Sequence, residues 1–253
     1  MRLLLALFGI SLTLSSQSYA DKFEHSFFPE NQLWLEESNQ INSNIDEELF
    51  DEIVEVFRTT YKSIAKEKGL SFGVISHWDD PKVNASCSRL INRITVNVYG
   101  GLARRPELTP EGLALILCHE AGHGFGGRPY ASRIYRLAAE GQSDYYATNV
   151  CASKILSKLN LDSNLYLPTE FEKKVCENYN GDYNECLQIL TAGDSLAHLL
   201  ASFRNTDIIP SYETPDPSVV EKTNVSYPSI QCRVDTYFRG LFNLDRPACW
   251  FKK

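Results

Sequence analysis

The chain has 253 residues, 43 % of them hydrophobic and 23 % charged, with 14 Gly and 11 Pro scattered along it. That is ample chain for a real core and excludes a disordered segment, a collagen-like fibre and a coiled coil. The formal charge of −7 argues against DNA or RNA as a partner, because nucleic-acid binders carry a basic excess.

Met1-Arg2, an apolar run from Leu3 to Leu14 and the small residues of Ser18-Tyr19-Ala20 have the three parts of a secretory signal peptide, expected over residues 1–20. The apolar block is too short to span a bilayer comfortably, and no later stretch is apolar enough. The mature chain is expected to be secreted or periplasmic, with no membrane span. Residues 21–43 are polar and irregular and read as an N-terminal arm or a pro-segment. Residues 44–253 read as a single domain.

From Asn44 to Lys68 the apolar positions Ile45, Leu49, Ile53, Phe57, Tyr61 and Ile64 recur every three to four residues, predicting an amphipathic helix stopped by Gly69. Leu70–Trp78 is strand-like. Arg93–Tyr99 alternates, with Ile94, Val96 and Val98 on one face. A second helix starts at Thr109 as N-cap with Pro110 behind it and runs to about His123. A third is predicted from Ser132 to Leu159, and others near 168–178, 183–203 and 229–242. The pattern predicts a compact α+β fold, mostly helical with a small sheet. Of the seven cysteines, Cys176–Cys186 and Cys232–Cys249 close short loops and are the expected disulfides of an exported chain. Cys118, inside an apolar helical run, is the expected free thiol.

Chemistry concentrates on the second helix, in Cys118-His119-Glu120-Ala121-Gly122-His123. Four residues of α-helix turn through about 400°, so His119 and His123 project from one face. That spacing suits two imidazoles on one Zn2+, with Glu120 beside them as general base. A catalytic zinc needs a third protein donor and an open position. The metzincin extension fails, since its third-ligand position is Pro129 and the only methionine is Met1. The alternative is acidic: Glu140 and Asp144 stand four apart on one face of the third helix. One can close the zinc sphere while the other accepts an N–H from a ligand histidine. The Gly124–Pro129 stretch permits the turn between the two helices.

His119-Glu120-x-x-His123 followed by Glu140-x-x-x-Asp144 resembles the gluzincin pattern, and more closely the HtpX-like and CAAX-prenyl-endopeptidase-like zinc peptidases, metallopeptidase family forty-eight. Asn84-Ala85 with the strand 93–99 and Gly101-Leu102, and Tyr227-Pro228-Ser229-x-x-x-Arg233-Val234, are similar to further blocks of that family. The likeness spans about residues 82–150 and 225–242. It implies a zincin-like domain, His119, His123 and Glu140 as metal ligands, Asp144 as the residue that orients a ligand histidine, and strand 93–99 as the edge that takes an extended peptide. It also implies that Tyr227, which stands where the family has histidine, approaches the oxyanion; His198 is a second candidate for that role. Arg233 is expected to pair with an acid near the zinc. The resulting expectation is a zinc-dependent endopeptidase acting on a peptide or protein substrate. Its rival is an exported zinc-binding scaffold or chaperone-like module without turnover. Asn84-Ala85-Ser86 and Asn224-Val225-Ser226 are glycosylation sequons if the source is eukaryotic.

Overall fold

Helix α1 (Glu47–Glu67) begins where the Asp46 carboxylate accepts the Leu49 N–H at 2.9 Å, and it ends just before Gly69, whose φ of 67° suits a residue without a Cβ. The computed structural model describes residues 23–29, 31–37, 44–161, 164–204 and 206–253. The signal peptide expected over 1–20 and part of the arm therefore lie outside the described residues. On α1, Phe50, Ile53, Phe57 and Tyr61 are fully buried, each stabilising the fold by about 1.5–3 kcal/mol relative to exposure.

Strands β1 (Glu24–Ser26), β2 (Ser71–His77), β3 (Ala85–Leu90) and β4 (Arg93–Tyr99) form one mixed sheet in the order β1-β3-β4-β2. β1 and β3 are antiparallel, as are β3 and β4, while β2 and β4 are parallel. The strand expected to be a free edge, Arg93–Tyr99, is thus interior and paired along both sides. Alternation reports which face of a strand is buried, as Ile94, Val96 and Val98 are; it carries no information about the strand's edges. The sheet ends instead at β1 and β2.

After the short helix α2 (Gly100–Ala103), Thr109 caps α3 (Pro110–Phe125) by accepting the Gly112 N–H at 3.0 Å. Every residue of α3 from Pro110 to Gly124 is buried. It is the central helix of the fold, set against α1 and β3 and, from later in the chain, α4 (Glu140–Tyr146) and α7 (Tyr183–Phe203).

The single helix expected over Ser132–Leu159 is divided. Residues 130–138 make a hairpin, β5 (Tyr130–Ser132) with β6 (Leu137–Ala138), and only then does α4 begin; a π-helical turn (Ala147–Cys151) leads into α5 (Ala152–Leu156). Arg136 sits at φ 57°, a left-handed turn conformation that no helix interior allows. The remaining helices, α6 (Glu170–Cys176), α7 and α8 (Ile230–Leu241), lie where the periodicity places them.

Three disulfides are present: Cys176–Cys186, Cys232–Cys249 and Cys118–Cys151. The first two are the expected pairs and fit an exported protein. Cys118 is not the free thiol: α3 is buried all round, and its crossing with the π-helical turn brings the Cys118 and Cys151 Cα atoms to 5.5 Å. Buried Cys87 on β3 is free. No helix among the described residues is long and apolar enough to cross a membrane. The fold is α+β, as its patterning predicts.

Candidate metal centre

His119 and His123, one turn apart on α3, bring their Nε2 atoms to 3.1 Å. The other ring nitrogens are both committed. His119 Nδ1 donates to Asp144 Oδ1 at 2.7 Å, and His123 Nδ1 donates to the Ala138 carbonyl at 2.8 Å. Each partner is an acceptor only, so the two Nε2 atoms are left to face each other across a buried gap.

Glu140, the first residue of α4, brings Oε2 to 3.4 Å from His119 Nε2 and Oε1 to 3.7 Å from His123 Nε2. A tetrahedral zinc with donors at 2.0–2.1 Å holds neighbouring donors about 3.3 Å apart. Separations of 3.1, 3.4 and 3.7 Å therefore suit one ion between the three side chains. The orphaned atoms agree: neither carboxylate oxygen of Glu140 or of Glu120 has a hydrogen-bond partner, although both groups are buried. A buried carboxylate left without a donor is costly, and a cation relieves that cost. Two imidazoles and one carboxylate form a donor set that suits a divalent first-row metal, zinc and iron both included.

Asp144 differs from Glu140 in having no oxygen to spare. Besides accepting from His119, it takes Arg233 Nε on Oδ2 at 2.9 Å and Arg233 Nη2 on Oδ1 at 2.8 Å. Arg233 comes from α8 and also lies over the Phe27 ring, 4.4 Å from its centroid. The chain Arg233–Asp144–His119 thus ties α8 through α4 to the metal-facing histidine, holding its tautomer and orientation.

Burial shapes the charges here. It raises the Glu120 carboxyl to about 8, with His119 opposing and the Glu140 charge reinforcing. Burial likewise depresses His123, to about 3. It acts on His119 in the same direction, but the Asp144 charge and hydrogen bond overcome it and lift that imidazole to about 9. Glu140 and Asp144 are pushed up by desolvation and pulled further down by their cationic neighbours, so both stay ionised.

Close backbone approach makes the centre possible. A Cβ on Gly122 would lie 2.6 Å from Ser143 Cα and 2.7 Å from Ser143 O, so α3 and α4 meet here with no room for a methyl group. We expect Gly122→Ala to part the two helices, destabilising the fold by roughly 1–3 kcal/mol despite alanine's better helix propensity. It should also weaken zinc binding by moving Glu140 away from the histidines. A melting temperature above that of the parent protein would contradict this.

The remaining candidates fall in different places. Tyr227 Oη donates to the Ser26 carbonyl at 2.6 Å, beside the centre, and burial raises its hydroxyl above the usual range. His198 is stacked on Tyr166 at 4.5 Å and lines a separate cavity with Asp194 and Tyr212, which removes it from the chemistry. Asn84 is buried, with its side chain accepting the Phe28 and Ala85 N–H groups, so the first sequon cannot carry a glycan. A group of Asp216, Cys232 and Cys249 has metal-like spacing, but the two cysteines are bonded to each other and offer no thiolate. Two side chains at the centre carry no signal in the sequence: His25, whose Nδ1 lies 3.5 Å from Glu140 Oε1, and Phe27, whose ring meets that of His119 edge-on at 5.0 Å. No family model, no curated protein and no solved structure matches this chain, and the functional reading rests on these distances and on the chemistry of the donors.

Proposed function

We propose that the chain is a zinc-dependent endopeptidase of the gluzincin type, with His119, His123 and Glu140 holding the metal. The observation that carries this reading is Glu120: a buried carboxylate next to two metal-facing histidines, with both oxygens free of protein donors. A site that only braces the fold has no use for such a group.

Zinc bound there supplies Lewis acidity, polarising a substrate carbonyl and acidifying a water towards neutral pH. Glu120 accepts the proton of the attacking water and returns it to the departing amine nitrogen. Buried beside the two histidines with neither oxygen held by a protein donor, the carboxylate is placed for both halves of that task. Tyr227 donates its hydroxyl proton to a backbone carbonyl beside the metal, as it already does to Ser26, which is the contact a developing oxyanion needs. Asp144 and Arg233 touch no substrate; they keep His119 aligned.

The test is metal content together with digestion of casein or a peptide library, with and without a chelator. One equivalent of zinc with chelator-sensitive cleavage supports the reading. One equivalent of zinc without cleavage, also after the N-terminal arm has been displaced, rejects it in favour of a metal-binding scaffold.

A further inference from the structure

The centre is closed. His119, Glu120 and His123 are fully buried and Glu140 is 1 % exposed, whereas a catalytic metal keeps one position open to water or substrate. The element that covers it is β1. That strand pairs with β3 in an antiparallel ladder, with His25 opposite Cys87. From it His25 extends over the donors: its Nδ1 is 3.5 Å from Glu140 Oε1, and its ring lies 5.1 Å from that of His123. One donor atom from each of His25, His123 and Glu140 falls within 4.8 Å of the other two. The next carbonyl along, Ser26 O, is the one that receives the Tyr227 hydroxyl. An extended backbone, paired to a sheet edge and giving a carbonyl to Tyr227, is arranged as a bound peptide would be.

We infer that β1 is an internal occupant of the substrate's place, with His25 as a fourth protein donor to the metal, and that a peptide enters by pairing with β3 after Glu24–Ser26 has peeled away. The blocking role rests on the peptidase reading above; the donor role does not. Release is local. Phe27 and Phe28 are buried in the main core and anchor the arm, whereas Glu24, His25 and Ser26 are only half-buried. Unpairing those three residues breaks a short ladder, the Ser86–Glu24 hydrogen bond and the Tyr227–Ser26 hydrogen bond and leaves the apolar core in place. It also turns β3 into the free edge that β4 is not.

The experiment compares the full chain with His25→Ala and His25→Phe. The phenylalanine keeps a ring against His123 and removes the nitrogen, and melting of the metal-free forms checks that each variant folds. The readouts are zinc affinity by chelator competition, the visible absorption of the Co(II)-loaded protein, and casein cleavage. Both variants are expected to bind zinc at least about tenfold more weakly, on the scale of lost support around a metal, and to change the cobalt spectrum as a nitrogen donor gives way to water. Both should cleave casein at least about tenfold faster, because the competent fraction of the parent protein is small. An unchanged cobalt spectrum and zinc affinity in both variants overturn the donor role, whatever happens to cleavage. A changed spectrum with measurable cleavage by the parent that is no faster in the variants overturns the blocking role. A changed spectrum with no cleavage in any form leaves His25 assigned as a donor and rejects the peptidase reading instead.

Discussion

Glu120→Gln is expected to keep the fold and one equivalent of zinc while turnover falls at least about a hundredfold, the lower end for loss of a general base. The structure makes this substitution unusually clean. Glutamine matches glutamate in shape, and neither Glu120 oxygen accepts a hydrogen bond from the protein, so no partner is orphaned by the change. Removing a carboxyl that burial already holds near neutrality relieves desolvation, and the melting temperature should stay level or rise slightly. The amide cannot accept the water's proton, and with His25 carried away on β1 neither histidine of α3 replaces it: His119 and His123 have their Nδ1 protons committed and their Nε2 atoms facing the metal position. The measurement is kcat on a peptide substrate alongside zinc stoichiometry, in the uncovered form of the site. Turnover close to that of the parent, with zinc retained, would remove Glu120 from the mechanism.

What the sequence carries of this site follows from locality. His119 and His123 are legible because four residues of helix fix their common face whatever surrounds it, and the apolar run before them marks α3 as a core helix. Glu140 and Asp144 are legible for the same reason, since they share a face of α4. Their division of labour is not local: it depends on Arg233, which arrives from α8, 89 residues away along the chain from Asp144. The hairpin β5–β6 is masked because Arg133-Ile134-Tyr135-Arg136 looks helical in isolation, while the left-handed φ at Arg136 belongs to the turn. Cys118 misleads in a related way, since its partner Cys151 is defined by a helix crossing and not by loop length. His25 has no local signal at all; a single histidine in a polar stretch acquires meaning only when β1 pairs with β3 and carries it over the centre. The same pairing hides which strand is the free edge, because hydrophobic alternation in β4 is satisfied equally well in the middle of a sheet.

The two carboxylates of α4 should separate in an experiment that reads metal affinity and stability together. Glu140→Ala is expected to lose zinc at stoichiometric concentrations, since it removes one of the three donors that face the gap. In the metal-free fold two effects oppose one another, since the change removes a buried carboxylate without a hydrogen-bond partner but also the counter-charge beside the histidines. Asp144→Asn is expected to do the reverse: zinc stays bound but about 10- to 100-fold more weakly, as found when a group supporting a ligand histidine is altered. The amide oxygen still accepts one N–H, but the charge facing Arg233 and His119 is gone. Asp144→Ala should go further and destabilise the metal-free protein by about 3–5 kcal/mol, the scale for leaving a buried charge without its partner, because Arg233 is buried and both its hydrogen bonds to Asp144 vanish. Zinc dissociation constants and melting temperatures for the three variants decide the assignment. If Asp144→Asn abolishes zinc binding while Glu140→Ala only weakens it, then Asp144 is the ligand, and the geometry that gives both its oxygens to His119 and Arg233 does not survive metal binding.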